Sequence, residues 1–168
     1  MVKTEDLKRI NILKDMPEHL LEIIAKEAHL SIFSTNKELY RVNDNIDTFY
    51  MLSMGQVALK AQLTPDIDVI LDTVQSGSTF GLSSLVTDTL TSSTAVCQEP
   101  CEVITLYGER MMDLFEENRE LGYHIMRRLA MHYKRDMDHR AQMIMKTLDK
   151  HPEYKHKIKD LETLTPIF

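Results

Sequence analysis

Leu71-Asp72-Thr73-Val74-Gln75-Ser76-Gly77-Ser78-Thr79-Phe80-Gly81-Leu82-Ser83-Ser84-Leu85 is the stretch on which the reading of this chain turns. Its second half, Phe80 to Leu85, is built like a phosphate-binding turn. Gly81 lets the backbone pass tightly against a ligand. Residues 82–86 then form a short helix whose first amides point at an anion and whose dipole favours negative charge. The alternative is a tight corner of a β-barrel with no ligand. The surroundings argue against an ordinary phosphate. Between Lys60 and Arg110 there is no lysine or arginine, while Asp66, Asp68, Asp72, Asp88, Glu99, Glu102 and Glu109 supply acid. A pocket made from this stretch offers amides and hydroxyls but no local cation.

Outward from there the chain has four zones. Upstream, Leu39 to Val42, Phe49 to Leu52, Gln56 to Leu59 and Val69 to Leu71 are β-rich runs, and Thr94 to Cys97 and Val103 to Leu106 follow downstream. Asn43-Asp44-Asn45, Gly55, Thr64-Pro65-Asp66 and Ser76-Gly77 separate them as turns. Gly55 and Gly77 fall where barrel corners need positive φ or close backbone approach. Many short antiparallel strands at regular spacing predict a barrel or jelly roll over residues 32–106. Residues 5–30 read as helical, with Leu7, Ile10 and Leu13 in one run and Leu20, Leu21, Ile23 and Ile24 in the next; Asp15 and Pro17 start the second. Residues 109–117 read as a short helix and 119–149 as a long one; 150–168 read as a charged extension holding Pro152 and Pro166. The expected fold class is α+β, mainly β, with a jelly-roll barrel flanked by N-terminal helices and a long C-terminal helix, the main domain covering residues 1–142.

Composition narrows the function. A net charge of -6 over 168 residues argues against non-specific binding to nucleic acid or a membrane surface. No apolar run approaches the roughly 18 residues of a membrane span. The charged start, Met1 to Asp6, has no signal-peptide-like core, so a cytoplasmic protein is expected. Cys97 and Cys101 would sit about 13 Å apart on one extended strand, too far for a disulfide unless Pro100 turns the chain. They read as reduced core thiols. Jelly rolls also host metal chemistry, but no histidine lies between Leu30 and Met112, which removes the usual ligands. His124, His132 and His139 read as solvated. No catalytic residue, metal ligand or cofactor is expected, and the chain is not read as an enzyme.

The order helix, barrel, short helix, long helix resembles the cyclic nucleotide-binding domain, the sensor module of catabolite-activator-type regulators and of the regulatory subunits of cyclic-AMP-dependent kinase. The resemblance covers about Leu7 to Gln142. Asn36 to Asp44 resembles the family's first strand and turn, Phe49 to Val57 its next strand and glycine corner, and Leu71 to Gly81 the approach to its phosphate site. Cys101 to Ile104 and Glu109 to Asn118 are similar to the closing strand and following helix. The resemblance implies a ligand site formed by Phe80, Gly81, Leu82, Ser83, Ser84, Thr91, Ser92 and Ser93.

The chain departs from the family where the nucleotide would be held. The family's phosphate-binding cassette carries a glutamate for the ribose hydroxyl and an arginine for the cyclic phosphate. Leu82 stands at the glutamate position, and the arginine position falls on Thr91 or Ser92. Losing the cation costs about 2–5 kcal/mol and losing the hydrogen bond about 1–2 kcal/mol. A total near 4 kcal/mol weakens affinity about a thousandfold. Three readings follow. The pocket takes a neutral or partly apolar ligand through its hydroxyls; it takes none, and the domain is a dimeric scaffold; or a cation arrives from Arg41, Arg127, Arg128 or Arg135 and a cyclic nucleotide binds after all. Any small-molecule partner is thus left unidentified.

The long helix spans about 45 Å, too much for the flank of one small barrel. In the family this helix pairs with its copy in a second subunit, so a homodimer is expected through Ile125, Met126, Leu129, Tyr133 and Met137, with Ile144 extending the stripe. Its methionines suit an adaptable seam. The family's DNA reader would need about fifty residues after this helix, and eighteen follow Lys150; no DNA binding is expected.

Overall fold

The computed structural model describes residues 2–64, 67–86 and 89–150. Asp66, Asp88 and the extension 151–168 lie outside the described residues, as do the side chains of Ile144 and Leu148.

The N-terminal region departs from a simple helical pair. Helix α1 covers only Thr4–Leu7, and α2 covers Glu18–Glu27. Between them the spacing of three in Leu7, Ile10 and Leu13 produces turns, not an α-helix. Ile10 N–H donates to Leu7 O at 3.0 Å, Leu13 to Ile10 at 2.9 Å and Met16 to Leu13 at 3.1 Å. Three residues per turn is the period of a tighter helix, and it keeps these apolar side chains on one buried side. Asp15 ends the run at φ 61°, and Pro17 then precedes α2. The helix stops at Glu27, so Leu30 belongs to a strand.

Eight strands follow among the described residues: β1 His29–Phe33, β2 Glu38–Tyr40, β3 Thr48–Met54, β4 Gln56–Thr64, β5 Ile67–Gln75, β6 Thr79–Phe80, β7 Thr94–Cys97 and β8 Cys101–Tyr107. One sheet has the order β1-β8-β3-β6 and the other β2-β7-β4-β5. β1 pairs with β8, β2 with β7, β3 with β6 and β4 with β5, all antiparallel. This is one long hairpin wound into two sheets, a jelly roll, and the expected mainly-β, α+β class holds.

β3 explains how the layers stack. Successive side chains point to opposite faces, yet Phe49 through Ser53 are all buried. Tyr50 and Leu52 enter the core between the sheets with Val57, Val74, Phe80, Ala95, Cys97 and Val103. Phe49 and Met51 face the other way and are as fully buried as Leu20, Leu21 and Ile24 of α2. Each such side chain contributes about 1.5–3 kcal/mol by leaving water. Helix α3 spans Gly108–Glu117 and α4 Arg119–Lys150. Arg110 ties α3 to α2, with Nη2 donating to Glu27 at 3.0 Å and Nη1 to Glu117 at 2.8 Å.

Two compact units divide the chain, Met1–Arg127 and Arg128–Phe168, and the division falls inside α4. In the first, Leu121 and Ile125 are fully buried, and Tyr123 and Met126 are exposed. In the second, Leu129 is buried while Tyr133 and Met137 are exposed. No helix among the described residues is long and apolar enough to cross a membrane.

Cys97 and Cys101 are free and buried. The turn through Pro100 brings the two thiols together, and burial, helped by the hydrogen bond with Cys101, pushes the Cys97 thiol up to about 12. A thiol so poor at forming thiolate is a packing group, not a nucleophile.

Candidate functional site

Gly81 leaves β6 in the left-handed region, with φ 75° and ψ 33°. A Cβ there would come within 2.6 Å of Tyr50 Cδ2 and 3.0 Å of Thr48 O. Glycine is therefore demanded by the neighbouring strand β3. The segment after it is a single turn of 3-10 helix, Leu82–Leu85. Ser84 Oγ donates back to Gly81 O at 2.7 Å and Ser84 N–H to the same oxygen at 3.2 Å. A four-residue turn has little dipole to offer an anion, so the short helix expected over 82–86 lacks the aligned length that its anion-holding role requires.

Several of the hydroxyls are engaged within the protein. Thr91 Oγ1 accepts from Asp44 N–H at 3.0 Å and donates to Arg41 O. Thr94 Oγ1 accepts from Val42 N–H at 3.1 Å. Thr89 Oγ1 donates to Val86 O at 2.9 Å. Thr91 and Ser93 are buried, Ser92 is exposed, and Leu82 and Ser83 are half-buried. Phe80 lies in the core, its ring stacked on that of Tyr50 with centroids 4.9 Å apart and planes 12° from parallel. Tyr40 completes this aromatic group, 5.8 Å from Tyr50 and 6.2 Å from Phe80.

A cavity of about 500 Å³ opens in front of the Tyr40 and Tyr50 rings. Leu39, Tyr40, Ile46 and Tyr50 give it apolar walls, and Asp44, Asn45, Asp47, Ser84 and Glu109 supply its polar groups. Of the residues expected at the site, Ser84 alone lines it; Leu82 does not fill it. In the sequence Asn43-Asp44-Asn45 reads only as a turn, and Glu109 only as an acid at the start of a short helix. The strand that carries Tyr50 and the turn before it converge with the first turn of α3. Gly108 N–H donates to Asp47 O at 2.7 Å and fixes that convergence.

The charge is one-sided. No lysine or arginine lines the cavity among the described residues. Arg41, on the turn beside it, is bonded through Nε to Glu38. Its own backbone N–H donates to Asp44 Oδ2 at 2.8 Å. Asp47 accepts a hydrogen bond from Thr48 Oγ1 at 2.7 Å. Burial raises the Tyr50 phenol above its ordinary range and the charge of Asp47 pushes it further, while the hydrogen bond to Thr48 acts the other way. No group of three or more His, Cys, Asp or Glu among the described residues could hold a metal ion.

Comparison with known proteins agrees with this architecture. A search of curated proteins finds no match. Among solved structures, a candidate cyclic nucleotide-binding protein from Geobacter metallireducens is 25% identical, with TM-score 0.70 over 82% of this chain and 99% of that one. The catabolite activator protein of Thermus thermophilus is 18% identical, with TM-score 0.66 over 80% of this chain and 62% of that one. The regulatory domain of Toxoplasma gondii PKA, crystallised with cAMP, is 20% identical, with TM-score 0.58 over 70% and 48%. The sequence profile of the cyclic nucleotide-binding domain matches residues 31–118, from β1 to the end of α3 and just over half of the chain. The chain belongs to the cyclic nucleotide-binding domain family.

Proposed function

We propose that this domain is a non-enzymatic small-molecule sensor whose ligand is not an ordinary cyclic nucleotide. The observation that carries the reading is the cavity beside Ser84: three carboxylate residues line it and, among the described residues, no cation does. A cyclic phosphate there would meet like charge. The hydroxyl that replaces the family's arginine, if it is that of Thr91, is already bonded to the 41–44 turn. Ligand occupancy would be transmitted through α3, whose first turn supplies Glu109 to the cavity wall, by favouring one position of that helix over another.

Titration of the full chain with cyclic AMP and with cyclic GMP, followed by calorimetry, tests this. Binding is expected only in the millimolar range, about a thousandfold weaker than a micromolar site. Low-micromolar binding of either nucleotide refutes it.

A second reading, a ligand-free dimeric scaffold, draws on the packed Tyr40–Tyr50–Phe80 core and on the exposed apolar residues Tyr123, Met126, Tyr133 and Met137 of α4. Both readings include a homodimer through that helix. Its seam would use Met126, Tyr133 and Met137 and not Ile125 or Leu129, which are buried in the protomer. Light scattering at micromolar concentration should give twice the chain mass of 19.5 kDa; a single-chain mass removes the dimer from both.

A further inference from the structure

We propose that the cavity beside Ser84 binds an organic amine: an ammonium group carried on an apolar or aromatic body. The inference deepens the sensor reading and rests on it, since it takes the same cavity to be the ligand site.

Size comes first. About 500 Å³ falls within the range of small-molecule sites and far exceeds what a bare ion fills. The distribution of its walls comes second. Tyr40 and Tyr50 are almost wholly buried, with 8% and 9% exposure, so they present little more than ring and edge to an occupant. With Leu39 and Ile46 they make an apolar floor, while Asp44, Asp47 and Glu109 are exposed and stand at the rim. The occupant therefore has an apolar part that goes in and a charged part that stays near water.

The sign of that charge follows from what surrounds the rim. Arg41 is the cation on the neighbouring turn, and it is committed to Glu38 while also feeling Asp44. Asp44 is further occupied by the backbone of Arg41. Glu109 forms no hydrogen bond or ion pair with another described residue. Asp47 and Glu109 thus leave negative charge uncompensated at the mouth. Because these carboxylates are not gathered where one metal ion could bind them together, the fitting cation is one that spreads its contacts. An ammonium on a short chain does this: it donates to the rim while its body lies on the tyrosine and isoleucine floor.

The test uses the full chain and two probes of nearly equal shape, tyramine and its uncharged counterpart 4-ethylphenol, with cyclic AMP titrated in parallel. Tyramine should bind at least about tenfold more tightly than 4-ethylphenol at low ionic strength, and raising the salt to about 0.5 M should remove most of that preference. Glu109→Gln should weaken tyramine about three- to fivefold and Glu109→Arg should weaken it more, both without changing the unfolding temperature by more than a degree or two. Asp47→Asn supplies a second variant on a different element, expected to weaken tyramine as well. Equal binding of the two probes, absence of tyramine binding, or tyramine binding untouched by all three substitutions overturns the inference. The two proposals fail separately. If neither tyramine nor cyclic AMP binds, only the amine falls; if cyclic AMP binds at micromolar concentration, the sensor reading falls with it.

Discussion

Phe80→Ala should lower the free energy of unfolding by about 3–5 kcal/mol, the largest loss expected from truncating any single side chain near the cavity. The ring is 4% exposed, stacks on Tyr50 and lies 6.2 Å from Tyr40. Its removal costs the transfer of an aromatic group to water, and then the contacts that Tyr40 and Tyr50 lose across the void. The aromatic pairing itself adds about 0.5–1.5 kcal/mol. At about 2–4 °C per kcal/mol for a chain of this length, the melting temperature should fall by on the order of 10 °C. Phe80→Leu keeps most of the volume and should cost less than about 1.5 kcal/mol. Val86→Ala, at a side chain 56% exposed, is the control and should stay within about 0.5 kcal/mol. Chemical denaturation of the three variants gives the comparison. A Phe80→Ala loss below about 1 kcal/mol would mean that the aromatic group is not a packed unit.

Those rings also mark what could and could not be read from the chain. The strands carried by dense β-branched and aromatic runs, such as Phe49 to Leu52 and Val103 to Leu106, are plain in the sequence because a buried strand has to look that way. Two strands are not plain. β1, His29–Phe33, follows α2 with a single residue between, and its apolar Leu30 and Ile32 lie on the exposed side, so its pattern does not mark a buried face. β6 is two residues long and is a strand only because Tyr50 and Met51 of β3 pair with it. Local composition cannot report pairing across some thirty residues. The same limit hid most of the cavity. Ser84 was found because it follows a glycine that advertises a tight turn. Tyr40, Asp47 and Glu109 come from three separate elements, and nothing in their immediate neighbours tells that they meet. The hydroxyls misled for the opposite reason: Thr91 and Thr94 look available in sequence, and in the fold each holds the 41–44 turn.

Gly108→Ala sets two effects of opposite sign against each other, and their magnitudes decide the outcome. Gly108 is the first residue of α3, and exchanging glycine for alanine in a helix ordinarily gains up to about 1 kcal/mol. Here the new Cβ would stand 1.9 Å from Ser84 O and 2.7 Å from Ser84 C. Those are backbone atoms of the 3-10 turn, so no side chain can swing aside. Relief requires the turn or the start of α3 to move by more than an ångström. The turn is pinned by Ser84 to Gly81, and the helix by Gly108 N–H to Asp47 O at 2.7 Å. Overpacking of this kind costs about 1–3 kcal/mol or more, which outweighs the gain in propensity. Gly108→Ala should therefore destabilise by at least about 2 kcal/mol, where propensity alone would make it stabilising. Ser84, Asp47 and Glu109 all line the cavity, so the displacement should also weaken tyramine binding, an effect that Phe80→Leu, acting behind the floor, should share to a smaller degree. A variant that melts at or above the parent temperature would show that the 3-10 turn is free to yield, and with it the wall that the proposed ligand needs.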